Sequence, residues 1–134
     1  MLKKDEGAYM ITGVRKEDLV AQITARGHEI VSGLPTTLGG KDEGPTPHEI
    51  FEASLSACTI LTVQMYAKRK GIKLESANVD VKIVKEGPES VLTREISFVG
   101  DLSEEERARL AEIAEKCPIH KLMESQIKIE TVIK

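Results

Sequence analysis

The sequence predicts a mixed fold of helices and antiparallel strands, and three observations support this prediction. A long, almost wholly apolar segment extends from Ile50 to Met65, and a helix with so little polar surface is normally enclosed by other parts of a protein. Short segments in which polar and apolar residues alternate lie on both sides of it. With 134 residues, the chain is expected to form one domain over 1–134 and to bury roughly two-thirds of its unfolded surface.

Three short strands are predicted before the long helix. They are Ala8–Arg15, Leu19–Ala25 and His28–Ser32, with a turn at Arg26-Gly27 between the last two. Because turns join these segments closely, we expect an antiparallel meander. The segment from Gly33 to Pro47 is rich in glycine and proline and is predicted to be a loop.

The long helix is predicted from Pro47 to Lys70, and both of its ends have recognisable signals. Thr46 is expected to cap the helix, and Glu49 lies three residues later, where a capping box has its acid. Three basic residues precede Gly71, as the helix dipole and the usual glycine stop both favour.

Two helical segments and three strands are predicted after Gly71. They are the hairpin strands Ser76–Val84 and Leu92–Val99, a helix from Ser103 to Cys117, a helical turn after Pro118 and a final strand Gln126–Ile133.

Composition and charge exclude several classes of function. The net charge is −3 and the basic residues form no block, so we do not expect nucleic-acid binding. Polar residues interrupt the long helix before it reaches the roughly 18 apolar residues of a membrane span. The segment Met1–Gly7 is charged and unlike a signal peptide, so we expect a cytoplasmic protein. There, a cysteine pair is more often redox-active or unpaired than a structural disulfide.

The two cysteines, Cys58 and Cys117, occupy different predicted environments. Cys58 lies in the middle of the apolar helix, where burial would raise its pKa. It is therefore either an ordinary core cysteine or a thiol that a cation from elsewhere activates. Cys117 is predicted at the end of a helix, where the dipole disfavours a thiolate, so it suits a second, resolving thiol. The candidate cations are Arg15, Lys16, Arg26 and Lys41.

Other polar residues give weaker signals. The histidines His28, His48 and His120 do not have the spacing of metal ligands, so we expect neither a metal nor another cofactor. Glu52 interrupts the apolar helix and is expected either at its solvent edge or as the buried partner of an arginine.

Three sequence segments resemble the OsmC-like family, which contains osmotically inducible protein C and organic hydroperoxide resistance proteins. They are Leu38–Cys58, Met65–Ile72 and the Cys-Pro-Ile-His motif that begins at Cys117. The pattern is closest to a less characterised branch of the family. The resemblance implies an α+β fold with antiparallel sheets around a long buried helix that contains the first cysteine. It also implies an intertwined homodimer with active sites at the subunit interface.

The resemblance further implies a thiol-dependent peroxidase that reduces organic hydroperoxides. Cys58 matches the cysteine that attacks the peroxide and becomes a sulfenic acid, and Cys117 matches the cysteine that condenses with it to a disulfide. A dithiol reductant, such as a lipoyl group, would then reduce the disulfide. The family's N-terminal arginine is matched most closely by Arg15. The family also has an acid at the start of the cysteine helix, and His48 occupies that position in this sequence. The neighbouring Glu49 is therefore either the equivalent of that acid or only the capping residue.

An alternative function is that of a non-catalytic member of the family. In this case the apolar pocket of the homodimer interface would bind a small lipophilic molecule, and the cysteines would be vestigial or structural. Neither hypothesis includes a nucleic acid or a membrane as a partner.

Overall fold

The computed structural model describes residues 10–134, which form two compact units. The N-terminal unit ends at Phe51, and the C-terminal unit comprises Glu52–Lys134. The first residues of the predicted strand Ala8–Arg15 lie outside the described range, and the single domain over 1–134 stays a prediction.

The N-terminal unit contains a three-stranded antiparallel sheet. Its strands are β1 (Thr12–Glu17), β2 (Val20–Ala25) and β3 (His28–Ser32), in that spatial order. Between β2 and β3, Arg26 and Gly27 have φ angles of 52° and 84°, which suit the tight turn of a hairpin. The predicted meander is confirmed. The first strand begins and ends later than predicted, because its pairing with β2 extends from Thr12 to a bulge beside Glu17.

The glycine-rich loop after β3 requires glycine at two positions. A side chain at Gly40 would collide with the carbonyl group of Leu34, and one at Gly44 would collide with the carbonyl group of Val31. The close approach of these backbones keeps the loop compact ahead of the long helix.

Helix α1 spans Pro47–Lys70, as predicted. One of its faces is buried, whereas Leu61 is 58% exposed and Met65 is 43% exposed. A single chain therefore does not enclose the helix on all sides, and its enclosure in a homodimer stays a prediction. Among the described residues, α1 is long and apolar enough to cross a membrane by length and composition. Because one face packs into buried clusters, we interpret it as a core helix. Its buried residues are Leu55, Cys58, Thr59, Thr62, Val63 and Ala67.

The C-terminal unit places a hairpin and two short helices around α1. Strands β4 (Leu74–Lys85) and β5 (Val91–Gly100) pair in antiparallel register and confirm the predicted hairpin. Helices α2 (Glu104–Ala114) and α3 (Pro118–Met123) follow. The main core cluster contains Val63, Ala67, Leu74, Ala77, Leu110, Ile113 and Ala114.

One predicted helix end and one predicted strand in the C-terminal unit are wrong. Helix α2 ends at Ala114 and does not continue to Cys117, because Pro118 disfavours a helical conformation at the residue before it. The segment Gln126–Ile133 alternates in sequence but is not a strand. A strand needs hydrogen bonds to a neighbouring strand, and within residues 10–134 both sheets are formed without this segment.

Candidate active site

The two thiols meet in the C-terminal unit. Cys58 and Cys117 form a buried cluster with Leu55, and they are only 3% and 0% exposed. Both are present as thiols, and the Cys117 side chain lies within hydrogen-bonding reach of Cys58. The side chains that pack around the cluster are Val81, Leu92, Ile119 and Met123.

Opposing effects act on the pKa of Cys58. Burial is the largest and raises the pKa above its usual value, and the Cys117 side chain raises it further. Hydrogen bonds from the backbone amide of Ile119 and from the Thr62 hydroxyl act in the opposite direction. The Thr62 oxygen is 3.9 Å from the Cys58 sulfur. Because burial dominates, the thiol form of Cys58 is favoured within this set of contacts.

Helix α3 explains the contribution of Ile119. Cys117 is the N-cap of α3 and Pro118 is its first residue, so Ile119 lies in the first turn. The first amides of a helix have no acceptor within the helix, and that of Ile119 is directed at the Cys58 sulfur. Cys117 therefore caps the start of a helix, and the prediction that it ends one is wrong.

Arg94 is a cation of this site that was not among the cations predicted from the sequence. Its side chain is 10% exposed. Its Nη1 donates to the Thr59 hydroxyl oxygen at 3.0 Å and to the Ala114 carbonyl oxygen at 3.4 Å. Its Nη2 contacts Glu115 at 3.4 Å. A sequence signal was present, because Arg94 shares the inward-facing positions of β5 with half-buried apolar residues.

A cavity of about 310 Å³ adjoins the thiol cluster. The cavity and the cluster share Leu55, Leu92 and Met123 as lining or packing residues. Its size falls in the lower range of small-molecule pockets. The Nε2 atom of His120 lies 2.9 Å from a carboxylate oxygen of Glu124, within hydrogen-bonding distance. The lining residues are Leu55, Ser90, Leu92, Arg94, Ile96, Glu115, His120, Met123 and Glu124.

The predicted activating residues, Arg15 and Glu49, belong to the N-terminal unit. Arg15 donates its Nε to the Asp18 carbonyl oxygen at 2.9 Å and lines a second cavity, of about 350 Å³. Glu49 forms the predicted capping box: its carboxylate accepts the Thr46 amide at 2.9 Å, and its own amide donates to the Thr46 hydroxyl at 3.2 Å. The capping role of Glu49 is confirmed, and the roles of both residues toward Cys58 stay predictions.

Glu52 differs from both sequence-based alternatives. It is half-buried, and its carboxylate accepts a hydrogen bond from the backbone amide of Ile83 at 2.8 Å. This amide lies where the β4–β5 register shifts, so Glu52 supplies an acceptor at an irregular position of the hairpin. Within residues 10–134, no group of three His, Cys, Asp or Glu side chains is arranged to hold a metal ion.

Comparison with known proteins identifies the family of this chain. A family model described as OsmC-like protein matches residues 40–132, which include both cysteines. The chain therefore belongs to the OsmC-like family. A search of curated proteins found no match.

Solved structures share the α+β fold. An OsmC-like protein from Mycoplasma pneumoniae has 20% identity and a TM-score of 0.71, with 86% of each chain covered. An organic hydroperoxide resistance protein OsmC from Legionella pneumophila has 20% identity and a TM-score of 0.60, covering 87% of this chain and 90% of that one. An organic hydroperoxide resistance protein from Elizabethkingia anophelis has 24% identity and a TM-score of 0.62, covering 90% of this chain and 91% of that one.

Proposed function

We propose that this protein is a thiol-dependent peroxidase that reduces organic hydroperoxides. The observation that carries the proposal is the contact between Cys58 and Cys117 inside one buried cluster. Two adjacent thiols are the arrangement needed for a cysteine pair that cycles between thiol and disulfide. Structural relatives described as organic hydroperoxide resistance proteins support the choice of substrate.

The reaction proceeds in three balanced steps. The Cys58 thiolate attacks the terminal oxygen of the hydroperoxide, so that an S–O bond forms, the O–O bond breaks and the alkoxide leaves with a proton as an alcohol. The Cys117 sulfur then attacks the Cys58 sulfenic acid, and the disulfide forms as water leaves. A dithiol reductant, for which a lipoyl group is one candidate, exchanges with the disulfide and restores both thiols.

The first step requires a thiolate in a buried position. The Ile119 amide and the Thr62 hydroxyl contribute hydrogen bonds that lower the pKa of Cys58, but burial raises it by more. A cation is therefore needed, and we propose Arg15, oriented by Glu49. We also propose a homodimer, because the exposed Leu61 and Met65 of α1 would otherwise leave apolar surface in water.

The test of this function uses two cysteine variants. Cys58→Ser should abolish hydroperoxide consumption, because the attacking sulfur is lost. Cys117→Ser should complete one fast turnover and then accumulate Cys58 as a sulfenic or overoxidised acid, which mass spectrometry detects. Wild-type turnover in Cys58→Ser, or equal reactivity of the two thiols, would contradict the assigned roles.

The second candidate function is binding of a small lipophilic molecule at the homodimer interface. The observation in its favour is the raised pKa of Cys58, as expected of an inert core cysteine. Titration of thiols before and after one equivalent of cumene hydroperoxide separates the two functions. Loss of two thiols per chain supports the peroxidase, whereas an unchanged count supports the binding protein.

A further inference from the structure

Arg94 is a buried cation that joins three elements of the C-terminal unit. It lies on β5 at an inward-facing position, and its side chain is only 10% exposed. A buried charge is costly unless it is fully hydrogen-bonded. Arg94 finds its partners on α1, through Thr59, and at the end of α2, through Ala114 and Glu115.

The partners of Arg94 lie next to the two thiols. Thr59 directly follows Cys58 in α1 and is fully buried. The Ala114 carbonyl oxygen that accepts from Arg94 also accepts the backbone amide of Cys117 at 3.4 Å. The guanidinium of Arg94 therefore contacts Thr59, which is next to Cys58, and the Ala114 carbonyl group, which accepts the backbone amide of Cys117.

We propose that Arg94 is a positioning residue that holds Cys58 and Cys117 in register for disulfide formation. This inference rests on the proposed function, since it concerns the resolving step of that reaction. Disulfides tolerate only a narrow range of geometry, with Cα atoms about 5.5 Å apart. The planar guanidinium offers several donors in a fixed arrangement, so it can bind both segments at once, and its charge strengthens each hydrogen bond.

The experiment measures the thiol–disulfide equilibrium against glutathione, so it needs no peroxide. Oxidised glutathione and the two thiols give the Cys58–Cys117 disulfide and two molecules of reduced glutathione. Arg94→Met is expected to lower this equilibrium constant at least tenfold, which raises the reduction potential by about 30 mV. It should also slow closure of the sulfenic acid to the disulfide at least tenfold, measured from sulfenic acid that has already formed.

Arg107→Met is the matched control. Arg107 also joins α2 to β5, because its Nη1 donates to the Phe98 carbonyl oxygen at 2.9 Å, but Phe98 packs against the main core cluster and is not part of the thiol cluster. In Arg107→Met, the equilibrium constant for disulfide formation with oxidised glutathione should stay within twofold of the wild-type value. Equal constants in Arg94→Met and Arg107→Met would overturn the proposal.

Two further variants keep the test decisive if Arg94→Met does not fold. Arg94→Lys keeps the charge but cannot reach all partners, and Thr59→Val removes one acceptor with little change in volume. Each should lower the equilibrium constant three- to tenfold, and wild-type values in both would also overturn the proposal. If the wild-type protein forms no sulfenic acid with hydroperoxide, the peroxidase proposal fails, whereas the glutathione equilibrium still decides the role of Arg94.

Discussion

Replacement of Arg15 by methionine tests how Cys58 becomes reactive. Within the C-terminal unit, burial raises the pKa of Cys58 by more than the Ile119 amide and the Thr62 hydroxyl lower it. Within these contacts, the pKa of Cys58 is therefore raised above its usual value and the neutral thiol is favoured. If Arg15 activates this thiol, replacing Arg15 should leave Cys58 in its neutral and unreactive form.

The size of the effect follows from the interaction between a guanidinium and a thiolate. At about 4 Å and an effective dielectric constant near 20, the two charges attract each other by about 4 kcal/mol. Even if solvent and burial leave only about 1.4 kcal/mol, the pKa changes by one unit. Arg15→Met should therefore slow attack on the hydroperoxide at least tenfold near pH 7, with the dimer intact. Glu49→Gln should have a smaller effect, because it removes only the residue that orients the arginine.

The assay is a pH–rate profile for iodoacetamide alkylation of Cys58, measured on a Cys117→Ser background. In Arg15→Met, the rate should rise about tenfold per pH unit from pH 6 to 8, whereas with Arg15 present it should level off at lower pH. Arg15→Lys is a necessary control, because Arg15 also donates a hydrogen bond to the Asp18 carbonyl group in the β1–β2 turn, and Arg15→Met removes both this bond and the charge. Lysine keeps the charge and should retain part of the activation.

The result that would refute this reasoning is a profile for Arg15→Met that superimposes on that of wild type. If Arg26→Met then altered the profile, the chemistry would stand and the assignment of the arginine would be wrong. If neither substitution had an effect, Cys58 would be an ordinary core cysteine and the binding function would be favoured.

Two further predictions concern assembly and stability. Light scattering at micromolar concentration should show a dimer, because Leu61 and Met65 of α1 are exposed in one chain, and a folded monomer would contradict the proposed interface. In Arg15→Met, burial keeps the pKa of Cys58 higher in the folded than in the unfolded state, so its stabilising contribution is complete below about pH 8.5. As pH rises further, the free energy of unfolding should fall by at most about 1.4 kcal/mol per pH unit. Chemical denaturation should show that adding Cys58→Ser removes this slope, and an unchanged slope would contradict the raised pKa.

The sequence predicted those elements whose signals are local. The ends of α1 agree with the structure, because the capping box at Thr46 and the stop at Gly71 depend on residues within one or two turns. The β4–β5 hairpin was equally predictable, since its alternation and its turn lie in one continuous segment. The resemblance to the OsmC-like family also identified the cysteine pair that the structure brings together.

The features that the sequence did not predict depend on distant residues. Arg94 contacts Thr59 across 35 positions of sequence, and alternation shows only that an arginine faces inward, not what it binds. The segment Gln126–Ile133 has the pattern of a strand, but a strand also needs a partner. Ile129 is 83% exposed and Ile133 is 88% exposed, so within residues 10–134 no neighbouring strand covers the apolar positions of this segment.

The division of the chain into two units separates the chemical steps of the proposed reaction. Both thiols, Arg94 and the Ile119 amide belong to the C-terminal unit, so disulfide formation depends on residues that this unit contains. Arg15 belongs to the N-terminal unit, and it is proposed to act only on the ionisation of Cys58. Substitution of Arg94 should therefore act on the geometry of the disulfide, whereas substitution of Arg15 should act on the Cys58 thiolate, which also enters the thiol–disulfide equilibrium. The pH dependence of the equilibrium constant separates the two proposals, because loss of a cation that stabilises the thiolate changes that dependence, whereas loss of disulfide geometry lowers the constant at every pH.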